Sequence, residues 1–93
     1  MTELEITRCT RCGMAWFPER LRCPACGGTD FARMPAGPGK TEEVTTLRDG
    51  TRLGSVRLDQ GPVVVVRLDE ATRPGARVRL DTGSDRAIRA RRP

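Results

Sequence analysis

Polar and apolar residues alternate through much of the second half of this chain, the two-residue period of strands that turn one face to a core. Glu43-Val44-Thr45-Thr46-Leu47-Arg48 carries β-branched residues and stops at Asp49-Gly50, a strong hairpin signal. A second strand is expected over Arg52-Leu53-Gly54-Ser55-Val56-Arg57-Leu58, with Gly54 marking a bulge or a sharp bend. After the turn Asp59-Gln60-Gly61-Pro62, Val63 to Leu68 is the most apolar run and reads as the most buried strand. A loop containing Thr72-Arg73-Pro74-Gly75 leads into Ala76-Arg77-Val78-Arg79-Leu80, which alternates apolar and basic. Asp81-Thr82-Gly83-Ser84 reads as a turn and Arg86 to Ala90 as a last short strand. Five strands with no helical period predict a small closed barrel of OB-like type. An SH3-like barrel has the same strand count, which does not separate the two.

The first half follows a different grammar. Thr2 to Arg8 alternates loosely, with Leu4 and Ile6 on one side, and predicts a short strand. Met14-Ala15-Trp16-Phe17-Pro18 is expected to run extended, since Pro18 stops a helix. Adjacent residues of an extended arm point to opposite faces, so Trp16 and Phe17 cannot both cover the same surface. One can fill a miniature core while the other meets a second surface, within the chain or on a partner. Met34 to Lys40, with Pro-Ala-Gly-Pro-Gly at its centre, reads as a linker. The expected organisation is therefore residues 1–35 as one unit and 36–93 as the β-barrel with a basic C-terminal tail.

All four cysteines lie in the first unit, as Cys9-Thr10-Arg11-Cys12-Gly13 and Cys23-Pro24-Ala25-Cys26-Gly27. Two CxxC pairs at this separation are the ligand pattern of a tetrahedral four-thiolate zinc site, here a zinc ribbon with Cys9, Cys12, Cys23 and Cys26 as ligands. Gly13 and Gly27 supply the positive φ that closes such knuckles, leaving backbone N–H groups to face the sulfurs. The same four thiolates would also hold iron, so spacing alone leaves both metals open. A disulfide reading needs an oxidising compartment, whereas Met1 to Ile6 is polar and acidic rather than an apolar leader. The expected location is the cytoplasm. No apolar run exceeds four residues, too short to span a bilayer.

The apolar fraction is 37%, a thin supply for a core in 93 residues, so a metal would contribute to folding itself. The formal net charge is +5, and four thiolates with one Zn²⁺ lower it to about +3, a modest value. Charge gathers at the end of the chain, where Arg86, Arg89, Arg91 and Arg92 make the last eight residues a basic tail with no acid in it. That tail reads equally as a frayed solvated terminus or as an anion-binding one.

Catalytic equipment is sparse. The chain has no histidine and no G-x-S-x-G, and a closed thiolate shell leaves no open metal position for substrate. The reading is therefore a non-enzyme.

The order CxxCG, then Trp16-Phe17-Pro18-Glu19-Arg20, then CPxCG, a Gly/Pro link and a β-rich half resembles the rubredoxin-like zinc-ribbon plus OB-fold proteins that accompany acyl-CoA enzymes. The resemblance spans about residues 7 to 82. It implies a non-catalytic accessory subunit or scaffold of a thiolase-type, condensing or hydratase enzyme, with a coenzyme A ester enclosed at the shared interface. It also implies that Trp16, Phe17, Pro18 and Arg20 lie on an arm near the partner protein. The alternative is a nucleic-acid binder, since ribbons and OB barrels both serve that purpose. Residues 32–93 hold no Phe, Trp or Tyr for base stacking, although Arg57, Arg67, Arg77 and Arg79 could hold phosphates by charge.

Overall fold

The computed structural model describes residues 2–83 and 87–92. Among these the chain forms β1 (Thr2–Glu3), β2 (Glu5–Cys9), β3 (Ala15–Trp16), β4 (Phe31–Pro35), β5 (Pro38–Thr46), β6 (Arg52–Leu58), β7 (Val63–Leu68), β8 (Arg77–Thr82) and β9 (Ile88–Arg91). Two sheets result. A ribbon sheet has the order β3-β2-β4, and a larger sheet runs β1-β8-β5-β6-β7-β9. Because β8 also pairs with β9, the larger sheet closes into a five-stranded barrel.

Strand order settles what strand count leaves open. Around the barrel the neighbours are β5, β6, β7, β9 and β8, and every pairing is antiparallel except β7 with β9, where Arg67 opposes Arg89. Numbered within the barrel this is 1-2-3-5-4-1, an OB-like closure. The protein is thus mostly β, with a four-cysteine ribbon preceding an OB-like barrel.

Closure is governed by two features of β5 and β6. The pairing register slips between Thr41 and Glu43, so the bulge that bends the first barrel strand lies on β5. Gly54, expected to mark a bulge or a sharp bend, instead allows a close approach. A Cβ there would stand 2.5 Å from Leu68 Cδ1 and 2.7 Å from the Glu43 carbonyl oxygen.

Several expectations need correction. Met34 to Lys40 is not a loose linker: β4 continues to Pro35, β5 begins at Pro38, and only Ala36 and Gly37 lie between. Ala36 is fully buried and Gly37 takes φ 74°. Both prolines sit at strand ends, where a missing N–H costs no ladder bond. Val63 to Leu68 does form a strand, but it alternates buried and exposed positions and is not the most buried, since β6 and β8 expose fewer residues. Val64, Val66 and Leu68 face the core, while Val63 and Val65 face outward, Val65 being 66% exposed. Asp81 belongs to β8 rather than to a turn, and its buried carboxylate is ion-paired with Arg91. The basic tail is not frayed, since Ile88–Arg91 is the barrel's closing strand. Arg86 lies outside the described residues.

The core belongs to both sheets. Leu4, Ile6 and Ala36 pack in one cluster with Val56, Leu58, Val64, Val66, Leu68, Val78 and Leu80. Short-range polar contacts tie the loops: Asp49 accepts from Thr51 N–H, Asp69 from the Thr72 hydroxyl and N–H, and Asp59 pairs with Arg77. Each carboxyl is thereby held below its ordinary value, Asp59 chiefly by the Arg77 guanidinium. A depressed folded value means the stabilisation is complete at pH above about 4 and is lost as pH falls through the lowered value. Asp59→Asn is accordingly expected to melt below the parent protein at neutral pH and to converge with it in acid, once Asp59 of the parent is protonated in the folded as well as the unfolded state. Melts followed by circular dichroism across that range check this, and a constant gap at all pH values would contradict it.

Candidate metal centre

The centre is built from two copies of one local structure. In the first, Gly13 N–H donates to Cys9 C=O at 2.9 Å and Cys9 N–H donates to Met14 C=O at 2.8 Å. In the second, Gly27 N–H donates to Cys23 C=O and Cys23 N–H to Gly28 C=O, both at 2.9 Å. Gly13 and Gly27 take φ 80° and 73°, which other residues adopt only with strain. Each knuckle buries its first cysteine, Cys9 or Cys23, and leaves its second, Cys12 or Cys26, exposed.

All four Sγ atoms lie within 4.8 Å of one another. Two of the separations cross between knuckles, 3.6 Å for Cys9–Cys26 and 3.5 Å for Cys12–Cys23. A tetrahedral zinc ion with bonds of about 2.3 Å needs sulfurs about 3.8 Å apart, so the cage fits such an ion closely. Ala25 N–H and Gly28 N–H each donate to a sulfur, of Cys23 and Cys26, at 3.4 Å. At Gly28 a Cβ would come within 3.2 Å of Cys26 Sγ and of Arg11 Cδ, so the second knuckle needs glycine here for space.

The thiols differ in acidity because of these contacts. Burial opposes ionisation of Cys23, but the N–H groups of Cys26 and Ala25 and the neighbouring thiols outweigh it and bring the value down to about 7. Cys9 is also lowered, chiefly by the N–H of Cys12. Cys12 receives help from the Met14 N–H, yet the thiols of Cys23, Cys26 and Cys9 together with burial push it up to about 11. Of these three thiols Cys12 holds its proton most tightly. Four thiolates this close require a compensating positive charge.

Trp16 and Phe17 divide as their opposed directions require. Trp16 is 4% exposed and packs with Cys9, Cys23 and Phe31, its ring edge-to-face with Phe31 at 5.0 Å between centroids. Phe17 is half-buried against the barrel core. Pro18 and Arg20 are exposed. Of the four arm residues, Trp16 is thus turned inward, and Phe17 lines a groove of about 400 Å³ with Met14, Gln60, Pro62 and Val63.

Gln60, read from sequence only as a turn residue, joins the two sheets. Its Nε2 donates to the carbonyls of Pro35 and Ala36, both at 3.0 Å, and its Oε1 accepts from Arg8 Nη2 at 2.8 Å. No local pattern signals this, because the partners lie 24 to 52 residues away in sequence. Gln60→Ala strands those groups in a partly buried junction and is expected to cost about 2 kcal/mol. Chemical denaturation measures it, and a loss within error of zero would mean that water replaces all three bonds.

A ribbon of four thiols seated on a closed OB-like barrel defines a rubredoxin-like zinc-ribbon protein. Its residues 3–32 match the family model of the ChsH2 rubredoxin-like zinc ribbon domain. The whole fold is shared with the structure of Ltp2-ChsH2(DUF35) aldolase, at TM-score 0.72 and 22% identity, over 95% of this chain and 84% of that one. It is also shared with a DUF35-family protein of unknown function from Sulfolobus solfataricus, at TM-score 0.68 and 13% identity, over 96% and 75%. No curated protein sequence matches the chain. No helix among the described residues is long and apolar enough to cross a membrane.

Proposed function

We propose that this chain is a non-catalytic accessory subunit of an acyl-CoA enzyme complex, thiolase-type or related, working in the cytoplasm. In this reading Cys9, Cys12, Cys23 and Cys26 hold one structural zinc ion, residues 1–35 form the ribbon and residues 36–93 the barrel. The observation that carries it is the closed cage: all four metal positions are filled by thiolates, so no site remains where the ion could bind or activate a substrate. The ion's part is to supply the positive charge that lets four thiolates share one small volume. The fold likeness to one component of Ltp2-ChsH2(DUF35) aldolase, a protein whose name joins two components, supports a partner enzyme. The exposed Pro18 and Arg20 and the half-exposed Phe17 are assigned to the partner side of the arm, with the coenzyme A ester at the shared interface.

The nucleic-acid alternative gains nothing from the barrel wall. Outward positions of β6 and β7 carry Leu53, Ser55, Val63 and Val65 beside Arg57 and Arg67, with no aromatic ring to stack on a base. Affinity purification from the native host is the test. Co-purification of an acyl-CoA enzyme, with coenzyme A binding to the complex by titration calorimetry, is expected. Recovery of no such enzyme, or of nucleic acid in its place, would overturn the assignment.

A further inference from the structure

The ribbon sheet ends in an open strand. In the order β3-β2-β4, β4 has a neighbour on one side only. Which of its groups are open follows from the register. Thr10 N–H donates to Asp30 C=O and Ala36 N–H to Leu4 C=O, so the even-numbered residues of this segment bond toward β2. The odd-numbered ones, Phe31, Arg33 and Pro35, turn their backbone groups outward. Pro35 has no N–H, and its carbonyl is taken by Gln60. What remains is the N–H and C=O of both Phe31 and Arg33, four groups in strand spacing with no backbone partner among the described residues.

The side chains around this edge narrow what can complete it. Leu21 is 92% exposed, the most exposed large apolar residue described. It lines a depression of about 360 Å³ with Glu19, Arg20 and Phe31. Glu19 is already engaged with Arg33 at 2.9 Å, whereas no described carboxylate pairs with Arg20. An occupant must therefore offer alternating backbone donors and acceptors, an apolar side chain and negative charge.

We propose that the outer edge of β4 seats an extended segment of the partner protein, which adds as a fourth strand to the ribbon sheet. It places an apolar side chain against Leu21 and Phe31 and an acidic one beside Arg20. This rests on the partner-subunit reading and specifies where that partner attaches. The open edge then has a purpose, in a fold whose five barrel strands close on one another.

Three variants test it in the tagged full-length protein purified from its native host. Arg33→Pro removes one outward N–H and leaves the inward bonds to β2, Arg33→Ala removes only the side chain, and Leu21→Glu spoils the apolar contact without touching the backbone. Arg33→Pro and Leu21→Glu are each expected to weaken partner recovery at least tenfold. Arg33→Ala is expected to keep it within about threefold, since its ion pair is exposed. Zinc content and melting temperature of each variant exclude misfolding, and in the complex the amides of Phe31 and Arg33 gain protection from hydrogen exchange. If an acyl-CoA enzyme is recovered equally with all variants, the edge is not the docking site and the functional reading stands. If a protein of another class is lost selectively with Arg33→Pro and Leu21→Glu, the docking site stands and the functional reading falls. Recovery of no partner overturns both.

Discussion

Substituting Cys23 with serine is expected to empty the metal site and unfold the ribbon, with zinc falling from one ion per chain to none by elemental analysis. Serine keeps the side-chain shape but replaces a soft thiolate, brought down to about 7 by its surroundings, with a hydroxyl that does not ionise near neutrality. Structural zinc contributes roughly 10 to 16 kcal/mol in small ribbons, as large as the entire stability of a typical domain. Cys9 and Cys23 are also buried beside Trp16, so the loss extends to the miniature core around them. Strong chelator should act on the parent protein in the same direction. Full zinc occupancy in the variant, or an unchanged fold in chelator, would remove the basis for assigning these ligands.

The second large effect is expected at Gly54, where valine should destabilise the barrel by about 3 kcal/mol, the upper range for overpacking. The Leu68 side chain can swing away from an added Cβ, but the Glu43 carbonyl oxygen at 2.7 Å belongs to the paired backbone of β5 and can yield only if the two strands separate. Ser55→Ala, one residue along on the half-exposed outer side, is the control and should change stability by no more than about 0.5 kcal/mol. Denaturant titration of both variants decides the matter, and equal stability would mean that the strands are not held this close in solution.

Much of this molecule is legible in its sequence because much of it is locally determined. Cys9 and Cys12, like Cys23 and Cys26, are brought together by a single tight turn, so spacing and the following glycine suffice to announce the cage. Strands β6 and β7 begin and end where expected, since Asp49-Gly50 and Gln60-Gly61-Pro62 punctuate them. The misreadings arise where distant contacts decide. Val65 is as apolar as Val66, and only the barrel's curvature determines which of the two meets the core. Pro35 and Pro38 look like linker residues until the sheets around them are known. Gly54 announces that a side chain is not tolerated, without saying whether a kink or a neighbouring strand is the reason. The tie made by Gln60 is invisible to any local pattern, since its three partners lie in two segments far from it in sequence.

Strand β2 hydrogen-bonds as part of the ribbon but, with the adjoining Leu4, packs as part of the barrel. Residues 36–93 produced alone would therefore bare the wall that Leu4 and Ile6 cover, and a chimaera joining this N-terminal unit to a relative's barrel would set those two side chains against a wall they do not match. Exchange between relatives must carry both pieces together, and the zinc ion, though lodged at one end, helps keep the barrel's interior dry.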